Sequence, residues 1–309
     1  MEKIIGKIKH FRLNSWLASK GAFNWMSDEA YLRMRFQKRL GRKLNLENPR
    51  TYNEKLQWLK LYDRRPEYSV LVDKYEVKKY VADRIGERYI IPTLGVWNTF
   101  EEIDFDSLPD QFVLKCTHDS GGVVICRDKK VFDRVAARKI LRNALKKNYY
   151  YSGREWPYKA VKPQIIAEQY MEDREADSHA KKVNSLIEYK VFCFNGKAKM
   201  VLVCKGRAHG SGRTNDFCDI NLVRLPFTSL NPNSTGELVK PKQLPELISA
   251  AETLAAGIPQ VRADFYLCNG TVYFGELTLF HNSGLCKFHP EEWDGILGSW
   301  IQLPQKGKT

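Results

Sequence analysis

Residues 261–284 read VRADFYLCNGTVYFGELTLFHNSG. Two runs rich in β-branched and aromatic residues flank Asn269-Gly270, a strong short-range signal for a hairpin. An antiparallel hairpin turning there pairs positions whose numbers sum to about 539. Asp264 then lies opposite residue 275 and within one pleat of Glu276, and a bulge in the Cys268-Asn269-Gly270 turn aligns the two acids. Two carboxylates on one sheet face repel unless a cation or a proton joins them. Hard oxygen donors suit Mg2+, which usually keeps water and substrate phosphates in its shell. Arg262, two residues before Asp264, shares its face and can reach a phosphate or a substrate carboxylate. The alternative is a solvated face where each acid pairs with lysine or arginine. Apolar Val261, Phe265, Tyr273 and Phe274 argue for a half-buried sheet, in which a bare carboxylate needs a strong partner.

A second stretch, FVLKCTHDSGGV at 112–123, places Lys115 inside an apolar strand and follows it with a turn carrying Gly121 and Gly122. An ammonium offers a point charge to phosphate, and glycines let backbone N–H groups approach the same oxygens. An edge-strand lysine reaching solvent before a plain turn is the competing reading.

Around these two stretches the chain alternates helices with hairpins. Residues 28–41 and 51–62 read as helices, the second opened by a Thr51/Glu54 capping box. DKYEVKKYVADRIG (73–86) is a helix with Asp73 placed to cap it and Gly86 to end it. RYIIPTLGVW is short and β-like; QFVLKC and VVICR are strands, and a helix covers DRVAARKILRNALKKN. PQIIAEQYM is a further strand. SLIEYKVFCF, Asn195-Gly196 and KAKMVLVCK form another hairpin. Residues 206–215, glycine-rich and basic, read as a mobile loop. QLPELISAAETLAAG and PEEWDGILGSWI are helices. This mixture predicts an α+β fold. Its expected regions are a helical N-terminal part (1–68), a helix with a small lid subdomain (69–167) and a core subdomain (168–309).

The chain has 309 residues and a formal net charge of +14, which favours anionic partners without choosing among them. The seven cysteines show no paired spacing, as expected of a reduced, cytoplasmic protein. No apolar run reaches the roughly 18–20 residues of a membrane span. Residues 1–20 alternate apolar and basic side chains at helical spacing. That fits either a helix packed on the body or a peripheral contact with an acidic membrane, at the inner face of the cell membrane. No G-x-G-x-x-G follows a strand, and no Walker A, H-E-x-x-H or G-x-S-x-G motif occurs.

The segments NPRTYNEKLQWLKLYDR, DKYEVKKYV, FVLKCTHDSGG, EYKVFCFNGKAK and VRADFYLCNGTVYFGELTLFHNSG, in that order over roughly 48–300, together resemble the ATP-grasp superfamily, and in particular its TupA-like branch linked to teichuronopeptide and surface polysaccharide synthesis. The resemblance implies an ATP-grasp-like α+β fold, two subdomains clasping a nucleotide with a helical N-terminal extension, and ATP and Mg2+ as cofactors. By the same resemblance Lys74 and Lys115 touch ATP phosphates under a flexible lid turn that includes Ser120, Gly121 and Gly122. Glu168, Gln169, Tyr170 and Met171 form the hinge strand that receives adenine, and Glu172 or Asp173 holds the ribose. Asp264 and Glu276 hold Mg2+, and Lys190 contacts phosphate or substrate. The superfamily's last metal motif is commonly Glu-x-Asn, whereas here it is Glu276-Leu277-Thr278, which leaves Asn282 as a candidate third ligand. A lone solvated charge is the competing reading of Lys74, beside Lys78 and Lys79. Loop histidines such as His118 and His281 are more often structural than catalytic.

The expected reaction is ATP-dependent joining of a carboxylate to an amine through an acyl phosphate. Arg262 would fix the carboxylate, and Arg207 and Arg213 would close over an anionic substrate and exclude water. The expected partners are an acidic, uronic-acid-containing glycan or its precursor and an amino acid or other amine. Glycosyl or phosphoryl transfer in polysaccharide synthesis is the alternative. A basic nucleic-acid-binding protein using helices 28–60 is the alternative from another class, and a less favoured one.

Overall fold

The computed structural model describes residues 21–173, 186–205 and 213–306. The 1–20 helix and Arg207 lie outside the described residues. The fold is α+β, built on two antiparallel sheets.

The smaller sheet has the order β1 (Thr93–Trp97), β4 (Ile165–Gln169), β2 (Phe112–Cys116), β3 (Val123–Cys126). Its strand β2 alternates buried Phe112, Leu114 and Cys116 with half-buried Val113 and Lys115. The buried face meets helix α5 (Arg134–Leu145) through Ala137, Leu141 and Ala144, a stripe at helical spacing. Lys115 stands on the opposite face, away from this core.

The larger sheet has the order β7 (Thr214–Cys218), β6 (Lys197–Lys205), β5 (Ile187–Phe194), β8 (Gln260–Cys268), β9 (Thr271–Thr278). Both of its hairpins turn on Asn-Gly, with Asn195, Gly196, Asn269 and Gly270 all at positive φ, as such two-residue turns require. Helix α7 (Leu244–Leu254) packs on it with Leu247, Ala251 and Leu254. Strand β7 is not apparent from the sequence. It pairs with β6 as Leu202↔Phe217 and Val203↔Asp216, and the polar TNDFC run is stabilised from outside the sheet: Asn215 N–H donates to Pro232, and Asp216 accepts from Arg224 and from Ser234 N–H.

The N-terminal helices α1 (Asp28–Leu40), α2 (Tyr52–Tyr62), α3 (Tyr68–Val72) and α4 (Glu76–Ile85) share the core of the larger sheet. The Thr51/Glu54 capping box opens α2. Helix α2 crosses α8 (Glu292–Ser299) closely: a Cβ at Gly298 would stand 2.3 Å from the Arg50 carbonyl oxygen. Short helix α6 (Tyr150–Gly153) completes the helices the site uses. Helix α2 is largely buried, its Lys60 is fully enclosed, and Arg42 is paired with Glu54 and Asp294.

Candidate active site

On the small sheet, Asp73 and Lys74 precede α4. The Asp73 carboxylate accepts from the N–H groups of Tyr75 and Glu76, which caps the helix. Lys74 N–H donates to the Thr117 carbonyl at 3.0 Å, and its ammonium donates to the Asp119 carbonyl. The start of α4 is thereby tied to the glycine turn. Thr117, His118 and Asp119 are buried, and His118 Nε2 meets the Lys147 carbonyl at 3.0 Å. The lid turn is thus anchored at its base, and only its tip, Ser120 and Gly121, is exposed. The two glycines serve different ends. Gly121 takes a φ of +117°, and a Cβ at Gly122 would lie 2.7 Å from Ala144 on α5.

Lys115 meets Glu168. The pairs Val113↔Glu168 and Lys115↔Ile166 put both side chains on one sheet face, and the Lys115 ammonium stands 2.5 Å from Glu168 Oε2. Lys78, one turn beyond Lys74, takes Glu168 Oε1 at 2.7 Å and also donates to Ile91 and Thr93. Sequence reasoning left Lys78 as a solvated companion of Lys74; its spacing of four on α4 was the available signal. Burial opposes the charge on Glu168, but Lys115 and Lys78 outweigh it and hold the carboxyl below its ordinary range. A depressed carboxyl contributes stability that is present above its unfolded pKa and lost as pH falls through its folded one. Wild-type stability is therefore expected to fall as pH drops below about 4.5, and Glu168→Gln to flatten that slope. Chemical denaturation at several pH values measures it.

On the large sheet, the sum rule holds from Cys268↔Thr271 to Phe265↔Phe274. The register then shifts, and Asp264 pairs directly with Glu276. The bulge sits at Gly275 and not in the Cys-Asn-Gly turn. A Cβ at Gly275 would lie 3.0 Å from the Tyr266 ring and 3.2 Å from the Asp264 carbonyl oxygen, so glycine permits the close approach.

The two acids do not form a bare pair. Arg262 bonds Asp264 in a fork, Nε to Oδ1 at 2.6 Å and Nη2 to Oδ2 at 2.7 Å, and reaches Glu276 Oε1 at 3.0 Å. Lys190, opposite Asp264 on β5, also bonds Oδ2 and lies 2.8 Å from Glu188. Asp264 is fully buried; burial opposes its charge, and Arg262 and Lys190 nonetheless keep its pKa low. Arg262 also donates from Nη1 to His281 Nδ1 at 2.6 Å. All three guanidinium nitrogens are engaged, so Arg262 does not present a free fork to a substrate carboxylate, in contrast to the sequence expectation. It organises the acids.

His281 is buried against Phe192, with ring centroids 5.0 Å apart. Burial, then Arg262 and Lys190, push its pKa well down, so the ring is neutral. With Nδ1 accepting from Arg262, the proton sits on Nε2. The Asn282 Nδ2 position lies 3.1 Å from that nitrogen and 3.4 Å from Cys286 Sγ. Two N–H donors cannot bond each other, so the amide is turned with its oxygen toward His281. Asn282 is thereby held between the His281 ring and Cys286.

The remaining donors do fit a hard cation. Both protein contacts of Glu276, from Arg262 and from Thr278 at 3.2 Å, fall on Oε1, leaving Oε2 without a partner among the described residues, on a side chain 40% exposed. Both Asp264 oxygens are engaged by Arg262 and Lys190. One or two carboxylates completed by phosphates and water is the usual Mg2+ arrangement. No group of three or more His, Cys, Asp or Glu side chains that could hold a metal occurs among the described residues.

Tyr149 is buried in the electrostatic neighbourhood of Glu155, Glu276 and Asp119; burial first, then these acids, raise its pKa. Its ring packs on Tyr158 at 4.9 Å. Tyr149 lies in an NYYYSG run with no recognisable motif, and it was missed.

Residues 169–173 run from the smaller sheet to the hairpin of β8 and β9. Gln169 ends β4, and the segment through Tyr170 and Met171 brings Glu172 and Asp173 to the second hairpin. There Asn269 Nδ2 donates to the Glu172 carbonyl and Asn269 N–H to the Asp173 carboxylate. A cavity of about 780 Å3 opens beside Gln169 and Tyr170, walled by Leu94, Gln111 and Arg127. Neither Lys115 nor Glu276 lines it, so its size alone does not place a nucleotide there. Arg213 is exposed just before β7.

All seven cysteines are buried. Among the described residues no helix is long and apolar enough to cross a membrane.

No curated protein matches the chain. Solved structures similar to it include the D-alanine–D-alanine ligase of Bacillus anthracis complexed with ATP (16% identity, TM-score 0.38, 68% of this chain and 55% of that one). That of Helicobacter pylori has 15% identity and a TM-score of 0.43, over 81% and 69% of the chains. The ATP-grasp ligase PsnB, complexed with minimal precursor, Mg and ADP, has 12% identity and a TM-score of 0.38, over 84% and 65%. The chain thus spans about half the length of the Bacillus ligase, and these distant likenesses leave the assignment to the sequence family. Residues 54–302 match the family described as TupA-like ATPgrasp. The chain belongs to the TupA-like ATP-grasp family.

Proposed function

We propose that the protein is an ATP-dependent carboxylate–amine ligase that joins an amino acid or similar amine to a uronic acid of a surface polysaccharide or its precursor. The observation that carries this reading is the Arg262-organised pair of acids, Asp264 and Glu276, in a chain of this family that also holds the lysine-bearing glycine turn.

In the reaction, a substrate carboxylate oxygen attacks the γ-phosphorus of ATP, the bond to the β-phosphate oxygen breaks, and ADP leaves. The amine then attacks the acyl carbon, inorganic phosphate departs with the electron pair of the C–O bond, and the amine loses a proton. Lys74 and Lys115 neutralise the phosphates. Each has a partner, the Asp119 carbonyl or Glu168, that a phosphate can share or replace. Lys190 sits where it can turn from Asp264 toward the nucleotide. Mg2+ held by Glu276, with Asp264, would neutralise charge on the transferring group. The hinge 168–171 would receive adenine and Glu172 or Asp173 the ribose. Arg213 and the net charge of +14 suit an acidic acceptor.

ADP release by purified protein, screened against uronic acids crossed with amino acids and followed by product mass, tests the reading. Release that needs both partners, with a product heavier by the amine less one water, is expected. A phosphorylated product would make the enzyme a kinase. ATP-independent transfer from a sugar donor would make it a glycosyltransferase.

A further inference from the structure

Asn53, Gln57 and Lys60 recur on one face of α2 at spacings of four and three, and all three are fully buried. A buried polar stripe on a helix is costly unless each group is satisfied. Here every one bonds to the same short segment, residues 283–286. Asn53 Nδ2 donates to the Cys286 carbonyl at 2.9 Å, and its oxygen accepts from Cys286 N–H at 2.8 Å. Gln57 Nε2 donates to the Ser283 and Gly284 carbonyls at 3.0 and 2.7 Å. The Lys60 ammonium donates to the Ser283 carbonyl, the Ser283 hydroxyl and the Gly153 carbonyl, each at 2.8 Å; burial lowers its pKa and nearby buried Glu155 opposes that shift.

The segment held in this way has an unusual backbone. Asn282, Ser283 and Gly284 take positive φ in succession, at 47°, 56° and 60°. Non-glycine residues rarely occupy that region, and two in a row require the surroundings to impose it. Immediately before the turn stands His281, the acceptor that fixes Arg262, and Asn282 fixes the outer nitrogen of that ring.

We propose that Asn53, Gln57 and Lys60 are positioning residues: they impose the left-handed 282–284 turn, which locks His281 in the tautomer that receives Arg262 and so sets the geometry of Arg262, Asp264 and Glu276. The inference rests on the reading of this cluster as the metal–nucleotide end of the site.

The test uses the whole 309-residue chain and the variant Gln57→Leu, which removes three bonds, the two to the turn and the one Lys60 donates to Gln57 Oε1, yet leaves the Ser283 carbonyl with Lys60. Three readouts are taken below the melting temperature. They are kcat and KM for ATP, binding of Mn2+ in the presence of ADP, and the 15N signals of the His281 ring. The expected result is a KM within about twofold of wild type, with kcat lowered and the Mn2+ dissociation constant raised on the order of tenfold, the range of supporting-shell substitutions at metal sites. The His281 ring is expected to leave the pure Nε2–H tautomer. Asn53→Leu is expected to act in the same direction and stands in if Gln57→Leu does not fold. A variant that melts lower but keeps wild-type kcat, Mn2+ affinity and His281 tautomer would make the stripe structural glue and overturn the inference. Wild-type protein that binds no Mn2+ with ADP would overturn the reading of the site, and the inference with it.

Discussion

Replacing Lys115 with alanine is expected to lower kcat/KM for ATP roughly 10²- to 10³-fold, the scale of removing one preorganised charge-stabilising group from a transition state. The fold is expected to survive. Lys115 is on the polar face of β2, outside the small core. Its loss also does not orphan Glu168, because Lys78 holds the other carboxylate oxygen at 2.7 Å. Steady-state kinetics of the variant, together with its thermal melt, separate the two effects. Turnover within threefold of wild type would remove Lys115 from the phosphate site.

Glu276→Gln is expected to lower Mg2+-dependent turnover on the order of 10³-fold, because the Lewis-acid contribution of a bound metal is several kcal/mol and each 1.36 kcal/mol is tenfold in rate. Glu276 is the informative acid because it is 40% exposed, and Arg262 keeps both Asp264 and His281 without it. Asp264→Asn would confuse the result. That carboxylate is fully buried between Arg262 and Lys190, and removing one partner of a buried ion pair costs about 3–5 kcal/mol in folding. The check is turnover titrated with Mg2+: the variant is expected to need far more metal or to be inert at any concentration, while still melting cooperatively.

Much of the architecture was legible because its signals are local. Asn195-Gly196 and Asn269-Gly270 dictate their hairpins through backbone conformation alone, and Thr51 with Glu54 announces the start of α2. The sum rule for the second hairpin was right up to Phe265 and failed at Gly275, because a bulge depends on how the ring of Tyr266 packs across the strands. Strand β7 was illegible since its buried Asn215 and Asp216 are satisfied by residues up to 18 positions away. At the site, residue types were readable and pairings were not. Lys115 in an apolar strand did demand an anion, but the anion found is Glu168, brought alongside by sheet order β4-β2. Arg262 was expected to reach outward and turns inward, a choice made by His281 and Asp264 together. The polar stripe of α2 gave no signal, because Asn53, Gln57 and Lys60 in a sequence look like the solvated side of an amphipathic helix.

The account depends most on one triphosphate bridging the glycine turn and the acid cluster. A crystal structure with Mg2+ and a non-hydrolysable ATP analogue tests it directly. The account predicts phosphates contacted by Lys74 and Lys115, with the metal on Glu276 and adenine against residues 168–171. A nucleotide bound elsewhere, with Lys115 still closed on Glu168 and no metal at Glu276, would contradict it.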